Sequence, residues 1–207
     1  LFAEAAAEGV EVIGGLAFIN SERTGRNQVT HMGNGGLTIG AYRDGYAAAG
    51  VTEWMTTIAA DYEGTSVPIQ LEADLILGRW TKLLWNIPFN GLSVVLRAST
   101  ADIMGNEQST ELVATIMDEV IAAAAADGRE LPEGLANLML EVTRTMEPYA
   151  TSMKVDLDNG RPLEVESIVG EPLRRGLSLG ASMPVIETLY RELCFINAQL
   201  AAPTTSG

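Results

Sequence analysis

The feature that most constrains this chain is a polar stripe inside an apolar segment. Trp80-Thr81-Lys82-Leu83-Leu84-Trp85-Asn86-Ile87-Pro88-Phe89-Asn90 places Lys82, Asn86 and Asn90 four residues apart, which on a helix is one face. The residues between them are nearly all large and apolar, so the other faces of such a helix are expected to be buried as well. A polar group buried without a partner costs about 1–3 kcal/mol. One ammonium and two carboxamides therefore need partners, and a bound polar ligand is one candidate. Pro88 removes a helical hydrogen bond and is expected to loosen or kink the helix between the two asparagines.

The composition narrows the class. The 207 residues suffice for one large domain or two small ones, and 47% of them are hydrophobic, enough for a sizeable core. Thirteen Lys+Arg against 27 Asp+Glu give a net charge of −14. That balance argues against a nucleic-acid partner and against an anionic membrane surface. The single cysteine, Cys194, cannot close an internal disulfide and points to a reducing, cytoplasmic compartment. The apolar runs are too short or too interrupted to span a bilayer as helices.

Read along its length, the chain changes character near residue 70. Residues 1–8 read as the end of a helix stopped by Gly9, and the first residue is Leu1, so the expectation is a fragment of a longer protein. Val10-Glu11-Val12-Ile13 and Leu16-Ala17-Phe18-Ile19 read as strands, with a polar turn at Thr24-Gly25-Arg26-Asn27. The cluster Gly33-Asn34-Gly35-Gly36, between two further short strands, reads as a hairpin turn. A helix is predicted over 51–62 with Val51, Met55, Ile58 and Tyr62 on one face, then an edge strand at Val67-Pro68-Ile69. Beyond Leu71 the periodicity is helical, and helices are predicted near 71–97, 107–127, 133–147, 162–176 and 184–200, with Pro132, Pro162 and Pro184 at first-turn positions. The fold class is thus α/β plus all-α: 1–70 as an α/β part, 71–203 as an all-helical domain, and 204–207 as a frayed tail.

Several motifs have a plain structural reading. Gly33-x-Gly35 lacks the third glycine, Thr38 standing in its place, and a strand follows it, so it is not a dinucleotide loop. His31 alone in a strand, with no second histidine or cysteine cluster, makes neither a zinc site nor a hydrolase triad. Asp158-Asn159-Gly160-Arg161-Pro162 is a tight turn feeding a helix, and on spacing alone Glu164 and Glu166 only complement the positive end of that helix. The stripe could be a polar seam between helices. Equally, a buried lysine has a labile pKa and can hand over a proton near neutrality, and asparagines suit a substrate with hydroxyl and carboxylate groups.

Together these segments resemble the ketopantoate reductase (2-dehydropantoate 2-reductase) family. Its second half carries Lys-Leu-x-x-Asn-x-x-x-Asn-x-Leu, seen here from Lys82 through Asn86 and Asn90 to Leu92. It also carries Ser-Ser-Met-x-x-Asp, here Thr151-Ser152-Met153-Lys154-Val155-Asp156. The third motif, Gly-Arg-x-x-Glu-[IVL]-[DE]-x-[IL]-x-Gly, runs here from Gly160-Arg161 through Glu164 to Gly170. The front part, with Gly14-Gly15-Leu16-Ala17-Phe18 and Leu37-Thr38-Ile39-Gly40, follows in the same order. The resemblance implies a Rossmann-like nucleotide-binding domain, an all-helical C-terminal domain like that of 6-phosphogluconate dehydrogenase, and a site in the cleft between them. It implies NADPH as cofactor and reduction of ketopantoate to pantoate in pantothenate biosynthesis. Lys82 would be the general acid. Asn86 and Asn90 would bind the hydroxyl and keto groups of the substrate, and Ser152 its carboxylate. Glu164 and Ser21 would lie by the cofactor. A small 2-keto acid is the implied partner, with no nucleic acid, no membrane, and a homodimer compatible with the pattern.

The departures from the family also matter. No Gly-x-Gly-x-x-Gly loop occurs in these 207 residues, so the expectation is a truncated form inactive alone. Thr151 replaces the first serine of its pair, and a further asparagine of the family is replaced near Thr100. Two alternatives stay open: a non-catalytic helical interaction or oligomerisation module, and a related reductase for another 2-keto acid.

Overall fold

The computed structural model describes residues 8–148 and 150–201. The expected opening helix and the expected tail lie almost wholly outside these residues. The chain divides into two compact units, Leu1–Arg79 and Trp80–Gly207.

The first unit is built on a three-stranded sheet in the order β1-β2-β3. Strands β1 (Ile13–Gly25) and β2 (Gln28–Ala41) form one long antiparallel hairpin. Its turn is at Arg26 and Asn27, where Asn27 takes a φ of 63°, a left-handed conformation that asparagine tolerates. The glycine cluster at 33–36 is therefore not a turn, contrary to the sequence reading. It lies inside β2, where Phe18 pairs with Gly36 and Ile19 with Asn34, leaving Gly35 as an extra residue in a bulge. Helix α1 (Glu53–Asp61) then carries the chain across to β3 (Ile69–Leu71), which pairs parallel to β2. A parallel neighbour requires such a crossover. The Thr52 hydroxyl caps α1 by accepting the Met55 N–H.

The core of this unit gathers Ile39, Ala41 and the fully buried Met55, with Ile13, Leu37, Ile58 and Leu71 against them. Only part of the predicted α1 face is buried: Val51 and Tyr62 are exposed, because they flank the helix rather than belong to it. Gly40 allows a close approach, since a Cβ there would lie 3.0 Å from the Leu75 Cα and 3.1 Å from the Glu72 carbonyl oxygen.

The second unit is helical. Helix α2 (Leu75–Val95) begins in the first unit and continues into the second without a break at Pro88. It is followed by α3 (Thr100–Met104), α4 (Glu107–Ala126), α5 (Leu135–Thr145), α6 (Ser152–Asp158), α7 (Glu171–Ser178) and α8 (Pro184–Ala201). The short helices α3 and α6 were not legible as helices. The first opens on a Ser99–Asp102 capping box and the second on a Thr151 cap. Pro184 is the first residue of α8, as expected, whereas Pro132 and Pro162 precede their helices by some residues. The 162–176 segment enters as a π-helical turn, Glu166–Gly170, before α7.

The core forms around α2 and α4. Leu84, Ile87 and Phe89 of the former and Val113, Ile116, Met117 and Val120 of the latter are fully buried. The first-turn N–H groups of Val185 and Ile186, orphans of α8, donate to the two carboxylate oxygens of Glu119 on α4, each at 2.9 Å. Gly91 faces Leu189 of α8, where a Cβ would stand 2.6 Å from Leu189 Cδ2. Leu189 is 3% exposed and has little space to retreat. Alanine in a helix gains about 1 kcal/mol over glycine, but overpacking costs about 1–3 kcal/mol. Gly91→Ala is expected to destabilise the chain by about 1 kcal/mol, read as a lower urea midpoint at unchanged slope; a raised midpoint would contradict this packing.

Candidate functional site

Two indoles fix how α2 is turned about its axis. Trp80 Nε1 donates to Asp127 Oδ2 at 3.0 Å, and Trp85 Nε1 donates to Thr143 Oγ1 at 2.9 Å while its ring stacks on Phe89, centroids 4.9 Å apart. Asp127 ends α4, and its buried carboxylate also accepts from Arg175 of α7, with Nε at 3.0 Å. Trp80, Leu84 and Gly91, spaced by four and seven, line one side of the helix and are all buried. Lys82, Asn86 and Asn90 lie on the other side.

Along that stripe the burial deepens. Lys82 and Asn86 are half-buried, and Asn90 is 2% exposed. Residues 87–94 are all buried, so the expectation of a helix enclosed on more than one face is met there. Burial pushes the Lys82 amine below the ordinary lysine range, and the Glu164 carboxylate works in the opposite direction. Glu164 is exposed and immediately precedes the helical turn at Val165, its carbonyl accepting the Ile168 N–H at 3.1 Å. Lys82 and Glu164 are thus electrostatic neighbours.

Asn90 meets the start of α6. Its Oδ1 accepts from the Ser152 hydroxyl and from the Met153 N–H, each at 3.4 Å. Ser152 is exposed. Among the described residues no side-chain hydrogen bond holds Asn86, which leaves both ends of its amide for another partner. Ser21 lies in the first unit, exposed, within β1 opposite His31 rather than at a strand end, next to a register shift. Thr100, where the sequence departs from the family, is fully buried at the start of α3. Among the described residues, no group of His, Cys, Asp and Glu is arranged to hold a metal ion, and no helix is long and apolar enough to cross a membrane.

The structure brings Lys82 towards Glu164 and Asn90 towards Ser152, with Asn86 between on the helix. Sequence reasoning missed Ser93 and the role of Thr151, both fully buried. Ser93 lies three residues after Asn90 and continues the same stripe, and that spacing was the available signal.

Comparison with known proteins follows the same residues. Positions 74–197 match the family profile described as "Ketopantoate reductase PanE/ApbA C terminal". A 2-dehydropantoate 2-reductase from Nostoc sp. is 44% identical, over 92% of this chain and 60% of its own length. The solved 2-dehydropantoate 2-reductase from Methylococcus capsulatus superposes with a TM-score of 0.87 at 34% identity, over 99% of this chain and 64% of that one. Its counterpart from Geobacter metallireducens GS-15 gives 0.85 at 37% identity, over 93% and 64%. The chain therefore spans less than two thirds of these relatives.

The Lys82 amine can be read directly, because the sequence holds only one other lysine, Lys154. After reductive ¹³C-methylation, the Lys82 NMR signal is expected to titrate below its value in the denatured chain, and lower still in Glu164→Gln. Between the depressed folded value and the ordinary unfolded one, the unfolded chain holds more protons. This group therefore makes stability rise with pH across that window. A Lys82 signal titrating at or above its denatured value would contradict the burial argument.

Proposed function

The chain belongs to the ketopantoate reductase family, and from that premise we propose that it provides the substrate-side residues for an NADPH-dependent reduction of 2-dehydropantoate to pantoate. The observation that carries this reading is a partly desolvated amine, Lys82, beside the Glu164 carboxylate, on the helix face that also presents Asn86 and Asn90. Reducing a ketone to an alcohol takes one hydride and one proton. NADPH, when bound, supplies the hydride. The proton comes from the Lys82 ammonium to the carbonyl oxygen as negative charge develops there. Its depressed pKa makes it a better acid than an ordinary lysine, and the nearby carboxylate opposes that shift.

Asn86 and Asn90 orient the hydroxyl and keto groups, and Ser152 receives the carboxylate. Glu164 and Ser21 both present exposed hydrogen-bonding groups, which suit the hydroxyls and amide of a nicotinamide nucleotide. With no glycine-rich phosphate loop in these 207 residues, the reading includes little or no turnover by them alone. A cytoplasmic location and a homodimer belong to the reading through the family resemblance only.

The test joins these residues to a nucleotide-binding half and follows NADPH oxidation with ketopantoate and a panel of other 2-keto acids. Lys82→Ala is expected to lower kcat by about 10²–10⁴-fold with the melting temperature nearly unchanged. A large loss of melting temperature with turnover retained would instead favour a purely structural helical module. Preference for another keto acid would redirect the substrate assignment. Substantial turnover by the 207 residues alone would refute the part of the reading that needs the loop.

A further inference from the structure

We propose that Ser93 is a positioning residue: with Thr151 it locks the first turn of α6 onto α2 and so holds the Asn90 carboxamide with its Nδ2 donor turned to the ligand. For the identity of that ligand, a small acid with an acceptor oxygen, the inference rests on the function proposed above.

The argument begins with burial. Ser93 and Thr151 are both 0% exposed, so neither hydroxyl can turn to water. Their oxygens are 2.6 Å apart. Ser93 Oγ also lies 3.0 Å from the Asn90 carbonyl oxygen, and Thr151 Oγ1 lies 3.3 Å from the Lys154 amide nitrogen. An amide N–H can only donate and a carbonyl can only accept. One order alone pairs every hydroxyl hydrogen. Lys154 N–H donates to Thr151, Thr151 O–H donates to Ser93, and Ser93 O–H donates to the carbonyl of Asn90. This directed chain ties the cap of α6 to the turn of α2 that carries Asn90.

The second link sets the polarity of the amide. Asn90 Oδ1 accepts the Met153 N–H, and a main-chain N–H cannot be satisfied by an NH₂ group. The oxygen therefore faces α6. Nδ2 is left over, with no hydrogen-bond partner among the described residues, and it is not among the enclosed unpartnered atoms. It is a donor held open from a residue otherwise 98% covered, the residue itself being 2% exposed. The Ser152 hydrogen points at rest to the same Oδ1, at 3.4 Å. A hydroxyl rotates about its Cβ–Oγ bond whereas the Met153 N–H has a fixed direction, so Ser152 can turn its hydrogen to a carboxylate while Met153 keeps the amide oxygen. Asn90 thus binds as a donor, and Ser93, which need not touch the ligand, decides that it does.

The experiment uses the 207-residue chain, with ¹⁵N NMR of side-chain and backbone amides and titration with ketopantoate. In Ser93→Ala the Asn90 NH₂ resonances are expected to shift, and the Met153 and Lys154 amides to lose about tenfold in hydrogen-exchange protection. Ketopantoate is expected to bind about tenfold more weakly, a change of about 1.4 kcal/mol. Thr151→Ser, which keeps the hydroxyl, should retain both protection and binding. Ser93→Ala/Thr151→Val strands no hydroxyl. It should recover part of the melting temperature, the lost α6 cap withholding the rest, but not ketopantoate affinity, and it carries the same readouts if Ser93→Ala does not fold. Unmoved Asn90 resonances, or affinity restored together with stability in the double variant, would overturn the proposal. If the parent chain binds no ketopantoate, the functional reading fails, while the Asn90 resonances and amide protection still decide the role of Ser93.

Discussion

The carboxamide of Asn90 is the point on which the rest of the site depends. It sits on a helix segment buried on all sides, where each polar atom must be matched or must cost free energy. Its oxygen is taken by the first turn of α6, and its main-chain carbonyl by Ser93. The consequence reaches in two directions. The segment after residue 150 folds as a helix because its cap, Thr151, finds a buried acceptor on α2. The amide nitrogen stays available because the opposite end of the same group is already committed.

A second constraint acts at the other end of the stripe. Lys82 is held half-buried by a helix whose rotation is set by two indole N–H bonds, one to Asp127 and one to Thr143. Those partners come from α4 and α5, so the direction of the lysine is decided by packing far from the lysine itself. Aspartate at the C-terminal end of α4 is unfavourable for the helix dipole. Its place there is explained by what it receives: an indole N–H and the Arg175 guanidinium. Desolvation and the Glu164 carboxylate then act on the amine with opposite signs. An amine whose proton affinity is lowered but not abolished is what a proton donor to a nascent alkoxide needs.

The long helices and the stripe were legible in the sequence because a 3.6-residue period in a strongly apolar segment has few other solutions. Residues 107–126 and 184–201 form helices within a residue of where the pattern placed them. The hairpin was legible as an element but not in its register. Three glycines in four residues look like a turn, yet here they relieve a bulge in a strand, and Asn27 makes the reversal. Helix α6 escaped because seven residues give no periodicity beyond Met153 and Leu157. Thr151, where the family has the first serine of a pair, is half of a buried hydroxyl pair, which depends on a residue 58 positions away. Pairings of that kind are set by tertiary packing and leave no local trace. Family resemblance supplied the roles of Lys82, Asn86, Asn90, Ser152, Glu164 and Ser21, whereas geometry brings two pairs of them together and leaves Ser21 in the other unit.

A crystal structure of the chain grown with pantoate would test the central claim most directly. The account predicts the acid lying along the stripe, with one of its oxygens within hydrogen-bond distance of Lys82 Nζ and another facing Asn90 Nδ2. Asn90 Oδ1 would still be turned to the Met153 N–H. Pantoate bound elsewhere, or an Asn90 amide flipped to offer its oxygen to the ligand, would contradict it.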